Sequence, residues 1–498
     1  SLPESAVLRK PLTMPHRQSL SALNRMLATG GISSTEITTH FLDRIEQNQQ
    51  LNAFVSVDRE QTLAQAQQAD HSRRNERNSN LKGLPVALKD IFCTQGLLTS
   101  CGSRILSNFV SPYDATVVER LDKDGFIVLG KTNMDEFAMG SSNESSYFGP
   151  VLNPWNTARV PGGSSGGSAA AVSARLAPAA IGTDTGGSIR QPAAFCGLTG
   201  LKPSYGRISR YGMVAYASSL GQAGPITQSA EDAALLLQTM AGFDSRDSTS
   251  LDTAVPDYLS ALNTGLENVR LGIPKEFLDP SIDAEVLSAI ETALEEFEKL
   301  GAKLVDIELP NSSAGIAAYY VIAPAEASSN LSKFDGVRYG HRTAEFSDLL
   351  DMYEKSRAEG FGDEVKRRIL IGTYALSAGY YDAYYLKAQK VRRIIANDFS
   401  QAFKQCDLIA GPTTPSTAFT LGENLDDPVS MYLNDVFTVP VNLAGLPAIS
   451  LPVGFDQSGL PIGLQLIGPY LKEANILSAA HSYQKVTDWH QRIPGDYE

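Results

Sequence analysis

Short apolar runs alternate with amphipathic segments along most of this chain, a pattern that predicts strands and helices in turn. The apolar runs predict strands at 84–88, 126–129, 179–181, 269–273, 303–309, 407–410, 446–453 and 461–466. The amphipathic segments predict helices at 114–124, 168–176, 229–240, 283–300 and 381–403. This alternation indicates an α/β fold, a single large domain with a mixed, largely parallel central sheet covered by helices.

One helix start is marked by a clear capping signal. Ser33 and Glu36 have the spacing of a capping box, in which each residue bonds the backbone of the other. Ile37, Phe41 and Ile45 follow at intervals of four and form one apolar stripe. A helix with such a stripe should pack against the main body of the protein.

The domain organisation is simple. No internal repeat and no proline- or serine-rich linker divides the sequence, so we expect one domain over 19–498 after a lead-in at 1–18. Residues 61–80 favour a helix and then an exposed loop, because an alanine stripe gives way to Gln, Arg and Asn. The stretch 319–378 is less regular and rich in Tyr, Gly and charge, which by itself indicates a surface insertion.

The most unusual stretch is a loop at 159–171, where four glycines and three serines run into an alanine-rich segment. This composition is typical of a mobile loop feeding a helix N-terminus, whose free amides can hold an anion or an oxyanion. A phosphate loop is a weak interpretation, because Ser168 rather than Lys follows Gly167. A hydrolase elbow would need a preceding strand and a histidine base. A flexible linker stays open on this loop alone.

A second glycine-rich loop, at 182–192, makes the linker interpretation weaker, because both loops end in Gly-Gly-Ser. Upstream, Lys89 ends the predicted strand 84–88, a position that is usually a solvated strand terminus. Taken together, a lysine and two loop serines supply what a serine nucleophile needs without histidine. They provide a hydroxyl, a relay hydroxyl and an amine base.

The acidic balance of the chain limits its partners. Its net charge is −13, with 43% apolar and 19% charged residues, as in an ordinary globular protein with ample core. Such a surface repels phosphate backbones, so the chain alone should bind nucleic acid poorly. Lys387, Lys390, Arg392 and Arg393 within 381–403 therefore indicate a solvated helix face rather than a nucleic-acid patch.

The cysteines and histidines carry no obvious chemistry. Cys93, Cys101, Cys196 and Cys406 show no C-x-x-C spacing, and we interpret them as reduced thiols of a cytoplasmic protein. None of the six histidines lies in the two loops, which weakens a Ser-His-Asp interpretation. The first twenty residues lack an apolar run long enough for a signal peptide or anchor, so we expect no membrane association.

Lys89, Ser164 and Ser188, in this order and 75 and then 24 residues apart, resemble the catalytic residues of the amidase signature enzymes. The resemblance runs from about residue 19 to the C-terminus, without a departure at any catalytic position. It implies the amidase signature fold and an amidase activity that uses no metal or other cofactor in this chain.

The resemblance also implies a role for each loop residue. Ser188 would attack the substrate carbonyl, Ser164 would relay its proton, and Lys89 would accept that proton as a neutral amine. The family pattern places a cis peptide bond between Gly163 and Ser164. Burial is the means by which a lysine pKa falls from about 10.4 toward neutrality. The oxyanion would be received by the backbone amides of Thr185, Gly186, Gly187 and Ser188.

Stretches outside the catalytic residues carry a narrower resemblance. Residues 323–330, 334–340, 364–369 and 432–435 are similar to the A subunits of tRNA-dependent amidotransferases, which serve Gln-tRNA(Gln) and sometimes Asn-tRNA(Asn) synthesis. This implies glutamine hydrolysis to supply ammonia. It also implies a heterotrimer with a B subunit that binds tRNA and uses ATP and Mg, and with a small C subunit.

Two other functions compete with that one. A free-standing amidase acting on small or aryl amides would share the fold and the catalytic residues, and a structural subunit would keep only a relic site. The intact catalytic residues argue against the relic. Arg368 and Asp435 argue for an α-amino acid, which needs a cation for its carboxylate and an anion for its amino group. The resemblance adds Tyr319 to these substrate-binding residues. It also implies that the stretch 319–378 serves substrate recognition and partner contact rather than being a surface insertion.

Overall fold

An eleven-stranded sheet runs through the molecule in the computed structural model, which describes residues 14–75, 82–279, 281–425 and 427–498. The strands are β1 (Phe54–Ser56), β2 (Pro85–Lys89), β3 (Ile127–Thr132), β4 (Ala179–Asp184), β5 (Thr199–Lys202), β6 (Gln222–Thr227), β7 (Arg270–Pro274), β8 (Lys303–Ile307), β9 (Leu408–Pro412), β10 (Ala448–Phe455) and β11 (Pro461–Ile467). The helices are α1 (Leu20–Ala28), α2 (Ser34–Gln47), α3 (Arg59–Asn75), α4 (Thr116–Lys123), α5 (Gly166–Ser173), α6 (Arg190–Phe195), α7 (Ala230–Met240), α8 (Tyr258–Ala261), α9 (Ala284–Lys299), α10 (Gly315–Asn330), α11 (Leu349–Gly360), α12 (Asp363–Leu376), α13 (Lys387–Ala402), α14 (Pro428–Leu433), α15 (Val439–Ala444) and α16 (Glu473–Val486).

Two parallel sections flank an antiparallel centre in this sheet. The strand order is β1-β3-β2-β4-β6-β5-β10-β11-β9-β7-β8. Strands β3, β2 and β4 run parallel at one end, and β9, β7 and β8 do so at the other. Six of the ten neighbouring pairs are antiparallel. The mixed α/β fold is confirmed, but the expectation of a largely parallel sheet is wrong, because short returns such as β10 to β11 pair antiparallel.

The predicted strands and helices lie close to their expected positions. The strands predicted at 446–453 and 461–466 correspond to β10 and β11, which pair as a hairpin. The capping box is complete, with Ser33 and Glu36 each bonding the other's backbone. Helix α2 then buries Ile37, Phe41 and Ile45, the predicted stripe. The local signals of this chain therefore agree with its tertiary structure.

Three strands were not predicted. Strand β1 has only three residues, β5 contains a glycine, and β6 contains a glycine and a proline where a strand usually has β-branched residues. Gly224 in β6 shows why: a β-carbon there would lie 2.1 Å from the carbonyl oxygen of Leu201. The glycines in β5 and β6 allow neighbouring backbones to approach closely in the middle of the sheet. Because they replace the usual β-branched residues, the sequence does not show the usual strand pattern there.

The stretch 319–378 is not a surface insertion, which its composition taken alone would indicate. Helices α10, α11 and α12 fill most of it, and α10 and α12 pack against each other. Tyr319 on α10 and Arg368 on α12 are both buried. The helical period was hard to read because Pro324 lies inside α10.

A large hydrophobic core reaches from Leu20 to Tyr497 and draws on both ends of the sheet, as expected for a single domain. A small second cluster joins Val160, Phe195, Ala418 and Phe419. All four cysteines are buried and unpaired. Among the described residues, no helix is both long and apolar enough to cross a bilayer. Residues 1–13 of the lead-in and 76–80 of the expected loop lie outside the described residues. The domain boundary at 18/19 stays a prediction.

Candidate active site

The two glycine-rich loops meet at the carboxyl ends of β2 and β4. These parallel strands are neighbours, with Leu88 opposite Ile181, so the residues that end them share one edge of the sheet. Lys89 ends β2, and its Nζ lies 2.7 Å from Ser164 Oγ in the loop before α5. The expected cis peptide bond joins Gly163 to Ser164. The structure therefore brings the predicted base and relay into direct contact.

Lys89 is completely buried among hydroxyl groups. Besides Ser164, its Nζ contacts Ser165 Oγ at 2.8 Å and Thr183 Oγ1 at 2.9 Å. Burial lowers the pKa of Lys89 to about 7, although the carboxyl groups of Asp135 and Asp184 oppose the shift. Near neutral pH, about half of the molecules hold this amine in the neutral form that a base requires.

Hydrogen-bond counting shows how the neutral amine is used. It has two N–H groups and one lone pair, so one of its three hydroxyl neighbours must donate to it. The Ser165 hydroxyl donates to the carbonyl oxygen of Thr183 at 3.1 Å, and so it only accepts from Lys89. Ser164 and Thr183 are left as donors to the lone pair. Ser164 is thus positioned to pass a proton to Lys89.

The nucleophile candidate sits in the loop between β4 and α6. Ser188 is 8% exposed, whereas Ser164 is fully buried, so a substrate reaches Ser188 first. Gly187 before it has φ of +144°, a conformation that favours glycine. Within the described residues, the amides of this loop donate to no other group. They belong to Thr185, Gly186, Gly187 and Ser188. Unpaired amides beside a nucleophile are suited to an oxyanion.

A buried ion pair holds this loop, and sequence reasoning assigned it no role. Arg190 Nε lies 2.9 Å from Asp184 Oδ2, and both side chains are fully buried. Burial would raise the pKa of Asp184, but the guanidinium outweighs it and the pKa falls to about 2. Asn442 Nδ2 donates to Asp184 Oδ1 at 2.9 Å, and Arg190 Nη1 donates to Gln465 Oε1 at 2.6 Å. Residues from distant parts of the chain therefore hold this loop in place.

Arg368 lies in an aromatic enclosure. Its guanidinium carbon is 5.6 Å from the ring centre of Tyr216, 5.2 Å from Tyr320 and 5.5 Å from Tyr432. Its Nε donates to Glu364 Oε1 at 2.7 Å, and its Nη1 donates to Tyr216 Oη at 2.8 Å. Nη2 donates to none of the described residues. Arg368 is ion-paired, yet part of its guanidinium stays available.

Asp435 and Tyr319 lie against the nucleophile loop. A β-carbon built on Gly187 would be 3.1 Å from Asp435 Oδ1, and one on Gly186 would be 2.9 Å from Tyr319 Oη. Ser141 Oγ donates to Asp435 Oδ2 at 2.5 Å, while the buried Oδ1 has no hydrogen-bond partner. Burial raises the pKa of Asp435 to about 7. Its Oδ1 is an acceptor that lacks a donor.

A cavity of about 360 Å³ lies against Arg368. Tyr432 and Ser141 also line it, and the Ser141 hydroxyl donates to Asp435, whereas Asp435 and Ser188 are not among its lining residues. Its volume suits a small molecule. Among the described residues, no group of three or more His, Cys, Asp or Glu side chains could hold a metal ion.

The sequence matches the family model for amidases over residues 36–477, and the chain belongs to the amidase family. A relative from Dechloromonas aromatica, named as the A subunit of glutamyl-tRNA(Gln) amidotransferase, is 63% identical over 96% of this chain and 99% of its own. One of the same name from Thioalkalivibrio sulfidiphilus is 60% identical over 97% and 100%.

Crystal structures of amidase-family proteins share the fold. The A subunit of glutamyl-tRNA(Gln) amidotransferase from Thermotoga maritima is 42% identical with a TM-score of 0.80, over 96% of this chain and 97% of its own. A peptide amidase from Stenotrophomonas maltophilia is 31% identical with a TM-score of 0.81, over 94% and 96%. The chain is therefore similar both to amidotransferase A subunits and to a peptide amidase, and among these four it is most similar in sequence to the A subunits.

Proposed function

We propose that this chain is the glutaminase subunit of a tRNA-dependent amidotransferase. It hydrolyses the side-chain amide of glutamine and supplies ammonia for converting Glu-tRNA(Gln) to Gln-tRNA(Gln). The same ammonia would serve Asp-tRNA(Asn) in an assembly that accepts it. The relatives named as amidotransferase A subunits, together with the site geometry, support this proposal.

Acylation begins when Ser188 Oγ attacks the amide carbon of glutamine. Its proton passes to Ser164 Oγ, whose own proton moves to the neutral Nζ of Lys89. The negative oxygen of the tetrahedral intermediate receives hydrogen bonds from the loop amides. The proton then returns through Ser164 to the leaving nitrogen, the C–N bond breaks, and ammonia leaves an ester on Ser188.

Deacylation repeats the relay with water. The water oxygen attacks the ester carbon while its proton passes through Ser164 to Lys89. The C–O bond to Ser188 then breaks, and the serine oxygen recovers a proton through the same relay. Glutamate is released, and the three catalytic residues return to their starting protonation.

The single observation that carries glutamine as the substrate is the unpaired Oδ1 of Asp435. A buried carboxylate oxygen without a donor costs free energy, and the α-ammonium of glutamine supplies the missing donor beside the Ser188 loop. The available Nη2 of Arg368 would take the α-carboxylate. An aryl amide has neither charged group and would leave both side chains unused.

Comparing glutamine with butyramide, which lacks both charged groups, tests this assignment. Asp435→Asn and Arg368→Ala should each raise KM for glutamine by about 10- to 150-fold, the value of a charged hydrogen bond. Butyramide hydrolysis should change by less than about threefold. The exposed Asp306→Asn on β8 is the matched control. Equal losses on both substrates would assign the two residues a structural role.

Dependence on partners is a second test. The isolated chain should show weak glutaminase activity, and co-expression with B and C subunits plus Glu-tRNA(Gln) should raise it. The partner is expected to supply the ATP site, because this sequence has no Gly-x-x-x-x-Gly-Lys-Ser/Thr loop. Full glutaminase activity without tRNA or partner would favour the free amidase.

A further inference from the structure

A buried glutamine contacts three segments of the active site, although the proposed mechanism gives it no role. Gln191 is the second residue of α6 and is fully buried. Its backbone amide donates to the carbonyl oxygen of Gly187, in the nucleophile loop, at 2.8 Å. This contact uses only the backbone, so the side-chain amide of Gln191 is left for the other two segments.

The side-chain amide of Gln191 joins the relay loop to the wall of the substrate cavity. Its Oε1 accepts from the backbone amide of Gly163, the residue before Ser164, at 3.0 Å. Its Nε2 donates to the carbonyl oxygen of Ser141 at 2.8 Å. A β-carbon on Gly162 would lie 2.4 Å from Gln191 Oε1, so the glycines of the relay loop make room for this side chain. Only a group with both an acceptor and a donor can make this bridge.

Ser141 extends the bridge to the group that we assign to the α-ammonium of glutamine. While its carbonyl oxygen accepts from Gln191, its hydroxyl donates to Asp435 Oδ2 at 2.5 Å. A backbone contact holds the same segment at an earlier residue, where the Asp135 amide donates to the carbonyl oxygen of Ser164 at 3.2 Å. Gln191 is thus the side chain that links the Ser141 end of this segment to the relay loop.

We infer that Gln191 is a positioning residue that fixes Asp435 at the correct distance from the Ser164 relay, an inference that rests on the proposed function. Glutamine is held at its α-ammonium while its side-chain amide reacts several bonds away. An error in the distance between these two places would move the amide carbon away from Ser188. A displacement of about 1 Å can lower the rate by about 100-fold. Butyramide has no α-ammonium, so its hydrolysis does not depend on this distance.

The test compares kcat/KM for glutamine with kcat/KM for butyramide, both measured by ammonia release from the full chain. The ratio of the two values is insensitive to loss of folded protein, because both substrates react with the same active molecules. Gln191→Met removes both side-chain hydrogen bonds at similar volume and should lower the ratio at least about fivefold. Gln191→Asn is a milder variant that is too short for the bridge, and it should lower the ratio at least about twofold.

Gln484 on α16 is the matched control. Its side chain is also buried and also bridges two segments, since it accepts from the Ala230 amide at 2.8 Å and donates to Thr199 Oγ1 at 2.9 Å. Thr199 lies where β4 begins, and the catalytic residues lie at the other end of that strand. Gln484→Met should therefore change the ratio by less than about twofold, whatever its effect on stability.

A double substitution tests the path through Ser141. Ser141→Ala removes the hydrogen bond to Asp435 and should itself lower the ratio. In this background, Gln191→Met should lower the ratio by less than about a further twofold, because the link to Asp435 is already broken. A second full loss of about fivefold would overturn the path, since the two residues would then act independently.

The outcomes separate this inference from the proposed function. An unchanged ratio in Gln191→Met and Gln191→Asn would overturn the positioning role and leave the proposed function standing. An equal fall of the ratio in Gln484→Met would do the same. If the wild-type chain, alone or with its partners, does not favour glutamine over butyramide, the proposed function itself fails.

Discussion

Replacing Lys89 by arginine should abolish amide hydrolysis over the whole pH range in which the fold persists. An unperturbed lysine is neutral in only about 0.04% of molecules at pH 7. With a pKa of about 7, the buried Lys89 amine is neutral in about half of them, a gain of about a thousandfold in reactive base. Arginine stays protonated, so the variant should lose at least about this factor.

Butyramide is the substrate that isolates this titration. Protonation of Lys89 below its pKa removes the base, so log kcat/KM should rise with a slope of about one up to about pH 7 and then level off. With glutamine the slope should approach about two, because Asp435, whose pKa is also about 7, must be ionised to hold the α-ammonium. Ammonia release between about pH 5 and 9 would be measured for both substrates.

Lys202 provides the matched control for this prediction. It is also fully buried with a pKa lowered to about 7 by burial, but its Nζ donates to the carbonyl oxygen of Pro203 at 2.9 Å, away from the catalytic hydroxyls. Lys202→Met should leave the fall in kcat/KM below about pH 7 unchanged. Near-normal turnover of Lys89→Arg would refute the assignment of Lys89 as the proton acceptor. So would a Lys202→Met variant in which kcat/KM no longer falls at acid pH.

Other expected outcomes concern the nucleophile loop. Ser188→Ala should form no acyl-enzyme, and mass spectrometry after incubation with an electrophilic glutamine analogue should find the wild-type adduct on Ser188; an adduct on another serine would contradict this. Gly187→Ala should lower turnover at least about 100-fold, because a β-carbon there would lie 2.3 Å from Thr438 Oγ1. The control is Gly265→Ala, whose β-carbon would have no neighbour within 4 Å and which should leave turnover unchanged. Asp184→Asn should lower the free energy of unfolding by about 3–5 kcal/mol, read from urea denaturation, since Arg190 keeps a buried charge without its anion; a smaller loss would mean that the neutral acceptors around Arg190 suffice.

The candidate catalytic residues could be found in the sequence because their signals are local. Lys89 ends an apolar run, and Ser164 and Ser188 lie in glycine-rich loops next to predicted helices or strands. Strand ends and glycine loops are set by backbone chemistry that neighbouring residues already reveal. The family resemblance supplied the role of each residue.

The contacts that hold the Ser188 loop in place could not be predicted from the sequence, because they join distant segments of the chain. Asp184 meets Asn442, and Arg190 meets Gln465, contacts that only the folded chain creates. The pair Glu364 and Arg368 was different, since a spacing of four on a helix predicts an ion pair. That ion pair was not predicted, because Arg368 was interpreted as a substrate-binding residue.

Strands β2 and β4 pair directly, and this has a consequence for folding. Side chains alternate along a strand, so a slip of one residue between Leu88 and Ile181 would turn Lys89 to the opposite face of the sheet. The backbone pairing of β2 with β4 therefore helps to set the distance between Lys89 Nζ and Ser164 Oγ, which does not depend on side-chain packing alone. Recovery of turnover therefore reports on assembly of the sheet. During refolding, amide hydrolysis returns only when β2 and β4 have paired in their native register.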